Sequence, residues 1–537
     1  MDVPILIVGA GPSGLALALI FCRHGIPVRV IDKSNNQHIG SRACRLQPRT
    51  LELYKLLGIL STIEKRAVES STSIQVYTSP EGFGPIQSFS LYEQLKPHPA
   101  YHRINGITLC QDDHQAILRD ALQKDYALSV ELGIELLSYE QSLEAVLVRL
   151  AHPNGNVEMA HFKWVIGADG AESIVREQLG LDLAGFSGLG NTYLVGDIEA
   201  EHSHCSTRWK VWGSYTYQAL LLQPYTKSGK PYFHFMYGGC NVDISKLAMA
   251  SQEELLEMMY NTIGRRSICF GQVVSSGIWS ARNGMVNEMR HGRVFLVDAA
   301  HVHSPGGSLG INTGIQDSFN LAWKLSLVYK GLASPRPLLD SYSAERIPAI
   351  AASLGIVKNP TVSALSQNQR SRDWDLRQFD VNYRSSPIIT DDLEPSESFQ
   401  TTLHAGDRAP DATGLVITCS SQRTTLYDLL DAVSHTVIAF LPGDCLDYYS
   451  HITVALSRFP PVMAKTMVIH PQSTVWQHHD GVVFIDEDGY AFEHYESQPD
   501  EVKVVIIRPD GYIGAVITDV SGVEQYFAEV LNYQMAV

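Results

Sequence analysis

The stretch Pro4-Ile5-Leu6-Ile7-Val8-Gly9-Ala10-Gly11-Pro12-Ser13-Gly14 decides the fold of this chain. Pro4 to Val8 is a short continuous apolar run, which predicts a strand buried on both faces of a parallel sheet. The glycines that follow give G-x-G-x-x-G at a strand-to-helix junction. Leu15 to His24 reads as a helix ended by Gly25, and Ile26 to Ile31 as a second strand closed by Asp32. Each part has a physical task. Gly9 permits the tight turn, Gly11 lets a pyrophosphate approach the backbone, and Gly14 lets helix pack on strand. The helix N-terminus offers unpaired N–H donors and positive dipole to phosphate. Asp32 can accept hydrogen bonds from the hydroxyls of an adenosine ribose, and it repels a 2′-phosphate. The unit is therefore a dinucleotide-binding one, suited to FAD or NAD better than to NADP.

Working outward, the 537 residues exceed one hydrophobic core and predict roughly two to four domains. A net charge of −16, with no long Lys/Arg run, excludes a nucleic-acid backbone as the default partner. None of the eight cysteines forms a C-x-x-C pair, so a reducing, cytoplasmic setting is expected. Ile5 to Phe21 is apolar enough to suggest a signal or membrane segment. No cationic stretch precedes it, and Gly-Pro-Ser interrupts it where strand hands over to helix, so no membrane span is expected.

Two later segments choose between FAD and NAD. Trp164 to Gly167 leads into Ala168-Asp169-Gly170, followed by Ser173 and Arg176. Arg293 to Val297 ends in Asp298-Ala299-Ala300-His301, and Pro305, Gly306, Gly307, Gly310 and Asn312 precede a helix expected from about Thr313 to Tyr329. With these three fingerprints the sequence resembles the class A FAD-dependent aromatic monooxygenases, the para-hydroxybenzoate hydroxylase and phenol hydroxylase relatives. The resemblance implies FAD as cofactor and NAD(P)H as co-substrate. Asp298 would bond the ribityl chain, and the backbone from Pro305 through Gly310 to Asn312 would lie beside the isoalloxazine ring. Asp169 and Gly170 would serve both FAD and NAD(P)H. Arg42 and Gln111, at the head of a helix over 111–124, would contact the phosphate and ribose. With Gly9, Gly11, Gly14 and Asp32 these complete the expected cofactor-binding residues. Departures are Val297 for the usual Gly, Glu172 after Asp-Gly-Ala, and Ser308-Leu309 for the usual Gly-Gln.

The implied fold is α/β: a Rossmann-type FAD-binding domain (1–180 and 276–380, the latter with a helical region) interleaved with a mostly β substrate domain (181–275). Strand-like runs at Tyr215–Leu222 and Tyr232–Tyr237 fit the second. A polar, Ser/Pro-bearing stretch over 381–402 reads as a linker. Residues 403–537, with Gly406-Asp407-Arg408-Ala409-Pro410-Asp411 and Arg508-Pro509-Asp510-Gly511-Tyr512, are similar to the thioredoxin-like tail of the phenol hydroxylase branch. The tail's two cysteines, Cys419 and Cys445, lie too far apart in sequence for dithiol chemistry, so its expected role is structural or in a homodimer.

The resemblance further implies hydroxylation of a phenolic or polyketide-derived aromatic substrate with O₂, through a flavin C4a-hydroperoxide. Baeyer–Villiger insertion or epoxidation on the same scaffold, and a catalytically silent flavin-binding protein, stay open as alternatives. Candidate catalytic residues are Arg208, His234 and Tyr237, as stabiliser or proton relay for a phenolate. In phenol hydroxylases an acid that assists the substrate aligns near Cys44, and a thiol cannot reproduce it. His202-Ser203-His204-Cys205 lacks a second ligand pair, so no metal is expected. Gly306-Gly307-Ser308-Leu309-Gly310 matches a hydrolase elbow only formally, because the preceding strand ends well before Ser308.

Overall fold

The computed structural model describes residues 3–41, 44–77, 84–90, 93–184, 192–201, 208–214, 216–264, 268–280, 283–303, 308–357, 376–392, 403–418, 422–442, 446–472 and 483–531. At its centre is a six-stranded sheet. The strands run in the order Arg290–His291, Val294–Leu296, Trp164–Gly167, Ile5–Val8, Val28–Asp32, Glu131–Leu132. All neighbours are parallel except the first pair. Ile5–Val8 is buried throughout, as a strand covered on both faces must be. The helix Pro12–Arg23 starts on Gly11 as N-cap, with Pro12 where a missing N–H costs nothing. It stops at Gly25 (φ +71°), where Gly25 N–H donates to Cys22 O and Ile26 N–H to Phe21 O. That reversal satisfies the last carbonyls and requires a left-handed residue. The apolar stretch Ile5–Phe21 is thus a strand and a helix, each core side chain contributing about 1.5–3 kcal/mol by burial. Among the described residues no helix is long and apolar enough to cross a membrane.

A seven-stranded sheet stands beside this unit. Its strands run Cys269–Ser280, Thr192–Glu201, Lys230–Gly238, Gln218–Lys227, Trp209–Ser214, Ser73–Tyr77, Gln87–Ser90. The expected boundaries 181–275 therefore need correction: the sheet takes two edge strands from the first segment and runs on to Ser280. Ser73–Tyr77 pairs in parallel with Trp209–Ser214, so backbone hydrogen bonding decides membership where sequence proximity does not. One face carries Leu194, Ile198, Leu220, Leu222, Phe233, Phe235 and Tyr237, sealed by Leu255, Met259 and Ile263 of the helix Gln252–Ile263. The opposite face is turned toward the FAD-binding unit, where Ser41 and Lys227 make the contacts described below.

The tail is built on an eight-stranded sheet in which His435–Phe440 is parallel to Ala464–Pro471 and antiparallel to Lys503–Ile507, as in a thioredoxin-like core. Cys419 and Cys445 lie outside the described residues. The expected linker over 381–402 also needs correction in its first half. Tyr383 and Ile388 are buried, Ser386 Oγ donates to Glu345 Oε1 at 2.5 Å, and Thr390–Asp391 is the edge strand of the tail sheet. Composition there is polar, but Tyr383 and Ile388 point inward.

The Arg508–Tyr512 turn of the tail reaches into the FAD-binding unit. Asp510 Oδ2 accepts from Trp323 Nε1 at 3.2 Å and Asn320 Nδ2 at 3.3 Å, both on the helix Leu309–Tyr329. Arg49 Nη2 donates to the carbonyls of Asp510 and Gly511 at 2.8 and 3.2 Å. Gly511 has φ +70°, and a Cβ there would lie 3.0 Å from Leu56 Cδ1.

Candidate active site

The first end of the site is built by the turn after Ile5–Val8. A Cβ on Gly9 (φ +106°) would lie 2.4 Å from Ala168 O, and one on Gly14 would lie 2.1 Å from Gly9 O. Both positions are therefore closed to side chains by backbone. A Cβ on Gly11 would meet nothing within 4 Å, which leaves open space over the helix N-terminus. Asp32 is held in place, its Oδ2 accepting from Ala10 N–H and its Oδ1 from Ser34 N–H, each at 2.9 Å. Arg42 lies outside the described residues. Gln111 heads the helix Gln111–Tyr126 and donates its N–H to Ser41 Oγ at 2.9 Å. Sequence reading passed over Gln115, one turn further on the same face. Its Nε2 donates to Ala10 O at 3.0 Å, and its buried Oε1 has no hydrogen-bond partner. The i, i+4 spacing from Gln111 was the available signal.

Asp169, Gly170 and Asp298 come together across adjacent strand ends. Asp169 accepts from Ser173 Oγ at 2.6 Å, while burial raises its carboxyl above the usual range. A Cβ on Gly170 (φ +74°) would lie 3.7 Å from Asp298 Oδ2. Asp298 itself has φ +37°, a strained conformation for a residue with a side chain, of the kind that concentrates at functional sites. Pro305 lies outside the described residues.

The helix expected from Thr313 begins at Leu309, after Ser308 at φ +55°. Gly310 therefore sits in its first turn, beside His303. The Asn312 side chain is fully engaged by protein: Oδ1 accepts from Gln47 N–H at 2.8 Å, and Nδ2 donates to Arg45 O and Ser308 O at 3.1 and 2.7 Å. It pins the Arg45–Gln47 segment to the helix start, so only its backbone is left for a ligand. The first N–H groups of this helix make an anion-favouring end, suited to the pyrimidine edge of a reduced flavin. His301 is held by the protein, its Nε2 bonded to Asp317 Oδ2 at 2.7 Å, with Arg346 on the other oxygen at 2.6 Å. His303 is buried with both ring nitrogens unpartnered, and burial holds it neutral with a pKa near 3. Open space over Gly11, a fixed Asp32, the orphaned Gln115 Oε1 and two free helix ends fit FAD.

The polar face of the seven-stranded sheet supplies the other wall. Registers across three strands align Val195, Met236 and Leu221 in one rung, Asp197, His234 and Gln223 in the next, and Glu199, Tyr232 and Tyr225 in the third. Asp197 is fully buried. It accepts from Ser41 N–H and from Ser275 Oγ (3.3 Å) on Oδ2, and faces His234 Nδ1 with Oδ1 at 3.2 Å. Ser41 Oγ lies 3.0 Å from Cys110 Sγ. Burial, with Asp197 nearby, pushes the Cys44 thiol up and the Cys110 thiol to about 12, so both are neutral. Lys227 Nζ pairs with Asp112 Oδ2 at 2.5 Å, and Asp112 also accepts from Gly40 N–H at 3.1 Å. Gly40 and Ser41 are thereby bonded one to each unit.

A family model described as FAD binding domain matches residues 2–355. The chain belongs to the FAD-dependent aromatic monooxygenases. A second model, the phenol hydroxylase C-terminal dimerisation domain, matches residues 447–535 of this monooxygenase. The chain is 29% identical over 98% of its length to a flavin-dependent monooxygenase of Mycobacteroides abscessus, covering all of it. It is 26% identical to a pentachlorophenol 4-monooxygenase of Sphingobium chlorophenolicum, over 96% of this chain and 94% of that one. In fold it is similar to an aklavinone-11 hydroxylase solved with FAD and aklavinone, with TM-score 0.78, 23% identity and 99% of both chains covered.

The monooxygenase's three sequence-derived catalytic candidates separate. His234 faces Asp197, which also holds the Ser41 N–H. Tyr237, three residues on, points to the opposite face because side chains alternate along a strand. Its hydroxyl lies 3.3 Å from Thr262 Oγ1 and receives a hydrogen bond from Gln218 Nε2. The strand period therefore removes Tyr237 from the pocket. Arg208 is exposed one residue before Trp209–Ser214, two strands away from His234. An open depression on the far side, lined by Gln218, Glu253, Glu257 and Asn261, holds none of these groups. His202, His204 and Cys205 lie outside the described residues, and among the described ones no His/Cys/Asp/Glu group could hold a metal.

Proposed function

We propose that this monooxygenase hydroxylates a phenolic or polyketide-derived aromatic ring in the cytoplasm, with NAD(P)H as electron donor and O₂ as oxidant. The observation that carries this reading is the polar rung Asp197–His234–Gln223, flanked by Tyr225 and Tyr232 and turned toward the loop that pairs with the FAD site. Such a rung recognises a hydroxyl on a flat ring stacked against aromatic neighbours. Bound FAD supplies reduction by NAD(P)H and activation of O₂ for transfer of one oxygen atom. The chain's own groups bind and orient the ring, and the buried Cys44, Cys110 and Tyr225 keep water away from it. Relatives carry names that include pentachlorophenol and aklavinone hydroxylation, which agrees with a phenolic or polycyclic substrate class. The reading also includes a homodimer formed through the tail.

The test is NAD(P)H consumption by FAD-loaded protein, with and without a panel of phenols and hydroxyanthraquinones, under ¹⁸O₂. Substrate-stimulated consumption with one labelled oxygen on a ring carbon is expected. A lactone or epoxide would move the reaction class. No stimulation by any member would defeat the proposal.

A further inference from the structure

We propose that Asp197 is the positioning residue for His234, and that His234 Nε2 takes the proton from the phenolic hydroxyl of the ring to be oxygenated. The proposal rests on the hydroxylase reading above and assigns its base.

The tautomer follows from the donors around the carboxylate. The Ser41 N–H can only donate, so Asp197 Oδ2 is an acceptor; Ser275 Oγ joins it there. Oδ1 then accepts from His234 Nδ1, and the free lone pair of the imidazole falls on Nε2. The arrangement is built, because the loop can come this close only at a glycine. A Cβ on Gly40 (φ +85°) would lie 1.9 Å from Ser275 Oγ and 2.8 Å from Asp197 Oδ2. His234 is 8% exposed, enough to exchange a proton but too little to be a surface side chain.

In the step, the substrate O–H bond breaks and its electron pair stays on oxygen as phenolate. The proton forms an N–H bond at Nε2, Asp197 balances the imidazolium, and the ring returns the proton to solvent later in the cycle. Phenolate character raises the electron density of the ring carbon that accepts oxygen. The other titratable groups facing the pair are Cys44 and Cys110 from the FAD-binding unit and Tyr225 on its own sheet, with Glu199 and the Lys227–Asp112 pair beyond. Cys44, Cys110 and Tyr225 are all shifted upward by burial and stay protonated beside the pair.

The test uses FAD-loaded full-length protein, with 2,4-dichlorophenol and alizarin as probes, and reads kcat/KM against pH together with FAD content and unfolding temperature. Asp197→Asn is expected to lower kcat about 100-fold and to displace the acid limb, with KM for NAD(P)H unchanged. His234→Gln keeps a hydrogen-bonding side chain and guards against misfolding of the first variant. It should lose the acid limb and recover to within about tenfold of wild type above the phenol's own pKa, where solvent makes the phenolate. Variants that keep FAD, kcat within about threefold and an unmoved pH profile would overturn the assignment and leave a structural pin between the two units. Wild-type protein that responds to neither probe, nor to any other member of the phenol and hydroxyanthraquinone panel, would overturn the hydroxylase reading and this assignment with it.

Discussion

Arg508 grips Glu345 through two parallel hydrogen bonds, Nη1 to Oε1 at 2.8 Å and Nη2 to Oε2 at 2.9 Å, with both side chains fully buried. Lys324 Nζ, also buried, bonds the same carboxylate at 2.7 Å. Removing one partner from such a cluster strands the others in a medium that cannot solvate them. Glu345→Gln should therefore lower stability by about 3–5 kcal/mol, read by urea unfolding. A loss below about 1 kcal/mol would show that water reaches the cluster.

Among the described residues, four of the buried histidines are held neutral, chiefly by desolvation: His24 with a pKa near 4, and His114, His303 and His435 near 3. The unfolded chain binds protons at these positions below about pH 6.5, whereas the folded chain does not. Stability is thus fully present above pH 6.5 and falls with acidification, by about 1.4 kcal/mol per pH unit for each histidine. Unfolding free energies measured from pH 7 to pH 5 should show this slope. His114→Gln, which retains a partner for the Tyr54 hydroxyl, should lower it by one histidine's share.

The glycines of the first turn differ in what they protect. Gly11 faces open space and has φ −67°, so Gly11→Ala should fold normally. The added methyl would stand in the open space that the fingerprint reserves for the pyrophosphate, and the FAD dissociation constant should rise at least about tenfold. Gly14→Ala collides with Gly9 O and should instead lower the unfolding temperature of the apoprotein. Equal thermal losses in both variants would contradict this division.

Tyr237→Phe tests the strand period directly. It removes hydrogen bonds with Gln218 and Thr262 on the far face, which should cost about 1 kcal/mol of stability. Substrate-stimulated turnover should stay within about twofold of wild type. A large fall in kcat with stability intact would return Tyr237 to the pocket.

The geometry of the turn after the first strand was legible because its requirements are local. Gly9, Gly14 and Asp32 are dictated by a backbone reversal and a strand end, and all of them lie within one strand–helix–strand unit. Asp197 was invisible for the opposite reason. It is a lone acid in the run Leu194-Val195-Gly196-Asp197-Ile198, and its partners come from Ser41, His234 and Ser275, far away in sequence. The same distance effect bears on Cys44, which lacks the carboxylate its position led one to want: the facing strand brings Asp197 close enough to act on the thiol. Tyr237 was misplaced by counting aromatics without counting alternate faces. The 381–402 stretch reads as polar because Ser, Thr, Pro and acids are frequent in it, although in its first half Tyr383 and Ile388 are buried.

The long helix Leu309–Tyr329 serves two masters. Its first turn is the end proposed for the flavin, and three to four turns further on it is clasped by the tail through Asn320 and Trp323, which both donate to Asp510. Cutting the chain anywhere between 357 and 406 would expose charges that neither half can cover alone. The tail is therefore no detachable accessory: chimeras that exchange it between relatives need Arg49, Glu345, Arg508 and Asp510 to travel together as a matched set.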